Sequence, residues 1–297
     1  EGITIHFLKK RPLSMIYYST LGYKGVEEIL NCYNFDIIHS HSVLPFGYIF
    51  RNVHSKKIIT CHGSDVYHPG IKNLFFTKIA LKKADILTTV SKLYVKIIKN
   101  KWGKESQLIQ NGVDLVNYQV LNVGRENNFI LFVGRYIKVK GIVELINAAK
   151  ELPQYHFYFA GSGKLVNKIK GSNIFNLGFK TKEELSQLYN KATLCVFPTT
   201  ITKKGTESFG IVALEAIACG CPVIVTPNGF TEFINDKEEG IVIKSKNKLP
   251  LKKAIITLME NKKLRDRMGK KGIIKAKQFS WDRITREYYN LYFKILK

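Results

Sequence analysis

Short apolar runs alternate with longer stretches of helical periodicity along nearly the whole chain. In the first part, strands are expected over Thr4–Leu8, Asp36–His39, Lys57–Cys61, Ile86–Val90 and Gln107–Gln110. Helices are expected near Val26–Asn31, Pro45–Asn52, Ile71–Lys83 and Lys92–Lys101. Such alternation argues for a parallel sheet, because parallel strands need a crossover and a helix supplies it. Asn111-Gly112-Val113-Asp114 then has turn chemistry, and the segment to Asn128 is polar and aperiodic, as a linker would be. The alternation restarts with strands over Phe129–Val133, His156–Phe159, Ile174–Leu177, Leu194–Phe197, Val223–Val225 and Ile241–Ile243. Helices follow over Gly141–Glu151, Lys164–Lys170, Lys182–Lys191, Gly210–Cys219, Thr231–Ile234 and Leu249–Glu260, then Lys263–Gln278 and Trp281–Leu296. The expected class is α/β, with two doubly wound domains over residues 1–121 and 122–278 and a closing helix within 279–297. Ligands of such sheets bind outside the carboxyl ends of the strands.

Composition narrows this picture only in places. A chain of 297 residues with 45% hydrophobic content suits two packed domains. It opens on Glu1 and runs at once into the strand-like Gly2–Leu8, so the N-terminal domain is expected to be incomplete at its start. Lys and Arg number 47 against 23 Asp and Glu, a net charge of +24, with the excess on both sides of residue 121. A spread excess attracts nucleic acid, anionic lipid or phosphorylated substrates, or is simply a solvated Lys-rich surface. Five cysteines with no CxxC pair point to buried reduced thiols and a cytoplasmic protein rather than a disulfide or zinc framework. Phe209–Val225 is apolar enough to mimic a membrane span, but Glu215, Gly220 and Pro222 interrupt it. The Ile71–Lys83 stretch is amphipathic and basic. It fits a peripheral contact with an anionic membrane surface on the inner face, or a core-packed helix with a lysine-rich outer side.

Candidate chemistry falls at the strand ends. Val133-Gly134-Arg135 closes one strand, and Lys140-Gly141 opens the next helix. Two cations beside a helix N-terminus suit a diphosphate. Ala160-Gly161-Ser162-Gly163-Lys164 looks like a phosphate loop but lacks its spacing, with Tyr158 and Leu165 at the positions that matter. A Gly-rich pocket wall remains, and Asn176-Leu177-Gly178-Phe179 supplies another. Glu207 precedes the Ser-Phe-Gly turn of a helix that carries Glu215. Hydrolase catalysis would want both carboxylates at one bond. About two helical turns separate them, so separate roles fit better: Glu215 accepting from a ribose diol, Glu207 orienting a sugar. The alternative for Glu215 is a buried structural carboxylate paired with a lysine, since an unpaired one there is costly. His62-Gly63-Ser64-Asp65 ends a strand, where His62 is either a proton handler or a satisfied core residue. His39 and His41 alternate on one face without an evident third ligand, so no metal site is assigned.

Taken in order, these segments resemble the retaining glycosyltransferases of family 4, which have the GT-B fold. Glu207 and Glu215 inside ESFGIVALEA look like the family's Glu-x7-Glu motif. Gly134-Arg135 with Lys140-Gly141, His62 in TCHGSD, and the segments DIIHSHSVLPFG, NGVD, AGSG and NLGF also match. The resemblance runs through most of the chain. It implies two Rossmann-like domains facing a cleft. The C-terminal one would bind a nucleotide-sugar donor, and the N-terminal one a glycan or lipid-linked acceptor. Arg135 and Lys140 would neutralise the diphosphate, with Gly134, Gly161 and Phe179 lining the donor pocket. Glu215 would bind the ribose, and Glu207 with the amides of Phe209, Gly210 and Ile211 would hold sugar and phosphate. His62 would contact the sugar, and the helix from Trp281 would cross back to the N-terminal domain. Neither metal nor cofactor is implied beyond the donor substrate, and the anomeric configuration would be retained. The departure lies at the N-terminus, where family members carry an earlier strand and Gly-rich loop. Two other functions compete: a nucleotide-sugar epimerase of the same plan, and a basic nucleic-acid binder, which lacks interleaved aromatic and basic residues.

Overall fold

The computed structural model describes residues 26, 28–30, 32–202, 206–244 and 248–297. The strand expected over Thr4–Leu8 and the incomplete N-terminal start lie outside those residues. Of the helix expected over Val26–Asn31, Val26 and Glu28–Leu30 are described and helical, as is Cys32 just beyond it. The chain divides into two compact units. One holds the described residues up to Ile109 together with Tyr288–Lys297, and the other holds Gln110–Glu287.

The first unit is built on a four-stranded sheet in the order β1 (Ile37–Ser40), β2 (Lys56–Cys61), β3 (Ile86–Thr89), β4 (Gln107–Leu108). Every pair is parallel. Ile59, Cys61, Val66, Ala80, Leu81, Leu87, Tyr94 and Ile98 form its core with Val43 and Tyr48. Helix Lys92–Trp102 ends on Gly103 in the left-handed conformation, a standard stop that needs no side chain. The helix expected over Pro45–Asn52 is present but irregular, a π-helical turn over Val43–Gly47 running through Tyr48 and Ile49 into a 3-10 turn over Phe50–Asn52. Pro45 supplies no backbone donor, and Gly47 is pressed against Ile59 too closely for a Cβ. Ile71–Lys83 splits into a short 3-10 turn, Ile71–Asn73, and an α-helix, Leu74–Lys83.

The second unit carries a six-stranded parallel sheet in the order β10-β9-β8-β5-β6-β7. Its strands are β5 (Phe129–Val133), β6 (His156–Ala160), β7 (Ile174–Gly178), β8 (Leu194–Phe197), β9 (Val223–Val225) and β10 (Gly240–Val242). All residues of β5, β8 and β9 are buried, as strands covered on both faces must be. The order reverses at β5: β6 and β7 extend to one side, β8 to β10 to the other. A crevice at the carboxyl ends of β5 and β8 is therefore the expected binding position. Helix Lys182–Lys191 begins with a capping box, Thr181 accepting from the Glu184 N–H and Glu184 accepting from the Thr181 N–H. Lys164–Lys170, expected as a helix, is only a 3-10 turn at Val166–Lys168. Leu165 and Ile169 do pack on the core, but seven residues bounded by Gly163 and Gly171 gain little from helix propagation. Trp281 packs over Gly112, where an added Cβ would lie 2.6 Å from the indole. The helix Trp281–Leu296 starts in this unit and ends in the other. No described helix is long and apolar enough to cross a membrane.

Candidate active site

In the second unit, the loops after β5 and β8 bring Lys140 and Glu207 together as a salt bridge. Their side chains are only 19% and 15% exposed, so the pair is sheltered from the solvent screening that makes surface pairs weak. Lys140 ends a 3-10 turn, Lys138–Lys140, whose Val139 carbonyl accepts from the Thr200 N–H at 2.8 Å. Glu207 is fixed from behind, its carbonyl accepting from the Gly229 N–H at 3.0 Å. An ammonium has three donors, so Lys140 keeps capacity for an anion while holding Glu207. Arg135 is exposed, and its guanidinium meets no partner among the described residues.

Behind Glu207 the chain turns at Gly210, with φ +91, into helix Ile211–Ala218. A Cβ on Gly210 would lie 2.2 Å from the Phe230 ring, so the position accepts only glycine. Phe209 is 1% exposed and packs against Phe233 and Phe279, which leaves only its backbone for a ligand. Ile211 is 40% exposed at the helix start. The first N–H groups of any helix lack intrahelical acceptors and carry the positive end of its dipole. Here they follow directly on Glu207.

The glycines of β5, β6 and β7 meet one another. Gly161 donates to the Gly178 carbonyl at 2.7 Å. A Cβ on Gly161 would sit 2.0 Å from the Gly134 oxygen. Tyr136 closes this wall, its hydroxyl donating to Phe159 O at 2.7 Å and to Asn176 Oδ1 at 3.0 Å. Phe179 stands 79% exposed beyond it.

Glu215 has none of these partners. Tyr189 donates to its Oε2 at 3.0 Å, and Tyr118 makes a second hydrogen bond to it. Burial pushes its carboxyl up to about 7, while the two phenols and the Lys182 charge pull the other way. The lysine partner considered from sequence is replaced by two tyrosines, which satisfy the carboxylate without a second buried charge. Neither tyrosine was singled out beforehand: both lie far from Glu215 in sequence, and nothing local marks them.

In the first unit, His62 is exposed just past β2. Asp65 holds that turn, its carboxylate accepting from Gly63 N at 2.8 Å, Val43 N at 3.2 Å and His62 N at 3.4 Å. His62 joins His39 and His41, which were considered as a pair. The His39 and His41 rings stack with centroids 4.3 Å apart, and His41 and His62 lie 5.7 Å apart. His39 bridges Tyr292 OH at 2.7 Å and Thr60 Oγ1 at 2.6 Å. Stacked rings do not converge on a point, and no group of three ligating side chains among the described residues is arranged to hold a metal. Burial, with the neighbouring rings, lowers His39 to about 4. His41 and His62 are also lowered, chiefly by desolvation of the ring parts that face the protein, since both side chains still reach solvent, with Asp65 opposing the shift at His62. All three favour the neutral imidazole.

Comparison with known proteins shows the family to which the chain belongs. The description "Glycosyl transferases group 1" matches residues 117–275, and "Glycosyltransferase Family 4" matches residues 2–117. An uncharacterized glycosyltransferase of Methanocaldococcus jannaschii is 32% identical over 301 residues, spanning 97% of this chain and 82% of that protein. Sucrose-phosphate synthase from Thermosynechococcus elongatus superposes with a TM-score of 0.82 at 22% identity, over 94% of this chain and 79% of that one. HepE of Anabaena, solved with UDP and glucose, has a TM-score of 0.78 at 19% identity, over 92% and 83%. The last two share the fold. With both halves matched and a relative 32% identical over 97% of this chain, the chain belongs to the group 1, family 4 glycosyltransferases of GT-B fold.

Proposed function

We propose that this protein is a retaining glycosyltransferase. It moves a sugar from a nucleoside-diphosphate sugar to a hydroxyl of a glycan or lipid-linked acceptor, in the cytoplasm and without a metal cofactor. The observation that carries the proposal is the sheltered Lys140–Glu207 pair at the start of helix Ile211–Ala218, with the exposed Arg135 nearby in sequence at the end of β5.

Leaving-group departure builds negative charge on the diphosphate. Lys140, Arg135 and the N–H groups of Phe209, Gly210 and Ile211 are suited to stabilise it, so the charge work needs no ion beyond the protein's own. Glu207, oriented by Lys140, accepts from the sugar hydroxyls. Glu215 accepts from the ribose diol, which takes over part of the donation now made by Tyr118 and Tyr189. Gly134 and Gly161 let the nucleotide approach the backbone, and Phe179 offers a ring at the rim. The bond from the anomeric carbon to the diphosphate oxygen breaks, and the acceptor oxygen bonds to that carbon on the same face. The acceptor proton passes to the departing phosphate. His62, as a neutral imidazole, contacts the transferred sugar.

The test is a panel of UDP, GDP and ADP sugars with wild type and Lys140→Ala, read as product formed with simple glycoside acceptors. One donor is expected to give product of retained configuration, and Lys140→Ala to lose about 10²–10³ in kcat/KM. Inverted product overturns the stereochemical part. Epimerised donor formed without acceptor replaces the transferase by an epimerase.

A further inference from the structure

We propose that the outward face of Ile71–Lys83 docks this protein on a bilayer that carries anionic lipid headgroups. The inference concerns the first unit only and does not depend on the donor assignment.

The inner face of the element is accounted for. Thr77, Ala80 and Leu81 are buried, and Phe76 and Ile79 pack against the same core. The outward face is different. Ile71 is 88% exposed, Phe75 68% and Leu74 40%. Lys78 and Lys82 are exposed on the next two turns. Positions 71, 74, 75, 78 and 82 recur at three- and four-residue spacing, so they share one side of the element. That side is apolar at its leading end and cationic behind.

Exposure of this kind needs a reason. Single apolar residues on a surface are ordinary, but three adjacent ones of this size at one tip are not. Packing among the described residues does not explain them, since Phe75 meets its neighbour Phe76 edge-on, with centroids 5.8 Å apart. A turn that projects Ile71, Leu74 and Phe75 fits the hydrocarbon boundary, and lysines one and two turns behind it fit the phosphate layer. Charge complementarity selects the occupant. Two lysines flank the tip on its own face, and the chain carries net +24. An anionic headgroup layer matches both, whereas a second copy of the chain would bring its own positive charge to the contact.

The experiment is co-sedimentation of the full chain with vesicles of phosphatidylcholine alone or mixed with phosphatidylglycerol, at low and high salt. Binding is expected only to the mixed vesicles, and salt is expected to weaken it. Ile71→Ser with Phe75→Ser should abolish binding while leaving the thermal midpoint near wild type, because both side chains are exposed. Lys78→Glu with Lys82→Glu should weaken binding about tenfold or more. Lys263→Glu with Lys270→Glu makes the same change in net charge on the second unit and should leave binding nearly intact. Equal loss from that control pair overturns the proposal in favour of diffuse charge attraction. Equal binding to neutral vesicles, or none to either, also overturns it. A wild-type dimer that Ile71→Ser with Phe75→Ser converts to monomer would assign the face to a contact between copies instead. Nucleotide-induced thermal shifts on the same samples report the donor site separately, so failure of one reading is distinguishable from failure of the other.

Discussion

The two units place different chemistry at the ends of similar parallel sheets. The second presents a salt bridge, an exposed arginine and a glycine-started helix. The first presents three stacked imidazoles that favour the neutral form, with Asp65 the carboxylate that acts on His62. Fixed charge suits a ligand that is itself an anion. A neutral hydrogen-bonding face suits hydroxyl groups, which would gain little from a nearby formal charge. The same contrast appears in how each unit buries its titratable group. Desolvation penalises the charged form of either, so it lowers His39 and raises Glu215. The pH responses of the units should therefore run in opposite directions.

The largest expected effect tests the charged side of this contrast. Lys140→Ala removes the cation proposed to meet the leaving group and leaves Glu207 sheltered without its partner. The loss of about 10²–10³ in kcat/KM proposed for it should appear in kcat as well as in KM, because the charge it meets develops during reaction. His62→Ala should cost less, and a greater loss there would reverse the division of labour between the units.

Backbone substitutions should separate the units next. Gly161→Ala puts a Cβ 2.0 Å from the Gly134 oxygen at φ +146, so the glycine wall must open. A destabilisation of about 3 kcal/mol or more is expected. Gly70 has φ +80 but nothing within 4 Å of its would-be Cβ, so Gly70→Ala meets only backbone strain. It should cost about 1 kcal/mol, read by denaturant midpoint. Similar costs for the two would show that the wall is looser than its geometry.

A smaller effect comes from pH. The chain has two tryptophans, Trp102 in the first unit and Trp281 in the second, so Trp281→Phe and Trp102→Phe leave one reporter in each. His39 stays neutral in the fold, whereas the unfolded chain takes up its proton near 6.5. Its contribution is complete above that pH and is lost as pH falls from 6.5 toward 4, so the Trp102 midpoint should drop there. His39→Gln should flatten that drop. Glu215 behaves oppositely. The unfolded carboxyl ionises near 4.5 while the folded one holds its proton to about 7, so stability falls as pH rises through that window. Glu215→Gln should raise the Trp281 midpoint above pH 7, by about 1–2 kcal/mol once the weaker phenol hydrogen bonds are allowed for. It should also weaken nucleotide binding. A midpoint that falls instead would mean that Glu215 is ionised and supported in the fold.

Much of this arrangement was legible in the chain because it rests on local signals. Apolar runs and helical periods placed ten strands and the main helices, and helix Trp281–Leu296 matched in both bounds. Glycines at strand ends located the crevice wall. Lys140 and Glu207 were each identified, but their direct pairing was not, since it joins loops 67 residues apart. The tyrosines at Glu215 and the third histidine beside His39 escaped for the same reason. Strand order also escaped, because alternation fixes parallel pairing but not which strand neighbours which. Short segments misled most: Lys164–Lys170 has helical composition and packs Leu165 and Ile169 on the core, yet between Gly163 and Gly171 it is too short for helix propagation to hold it.

The most direct test is a thermal shift with UDP, GDP and ADP, each alone and as its sugar conjugate, on wild type, Lys140→Ala and His62→Ala. One base is expected to raise the wild-type midpoint both as the diphosphate and as the sugar conjugate. Lys140→Ala should lose the shift, and His62→Ala should keep the shift given by the bare diphosphate. No shift with any nucleotide, or a shift that survives Lys140→Ala and vanishes in His62→Ala, would contradict the assignment of the donor to the charged unit.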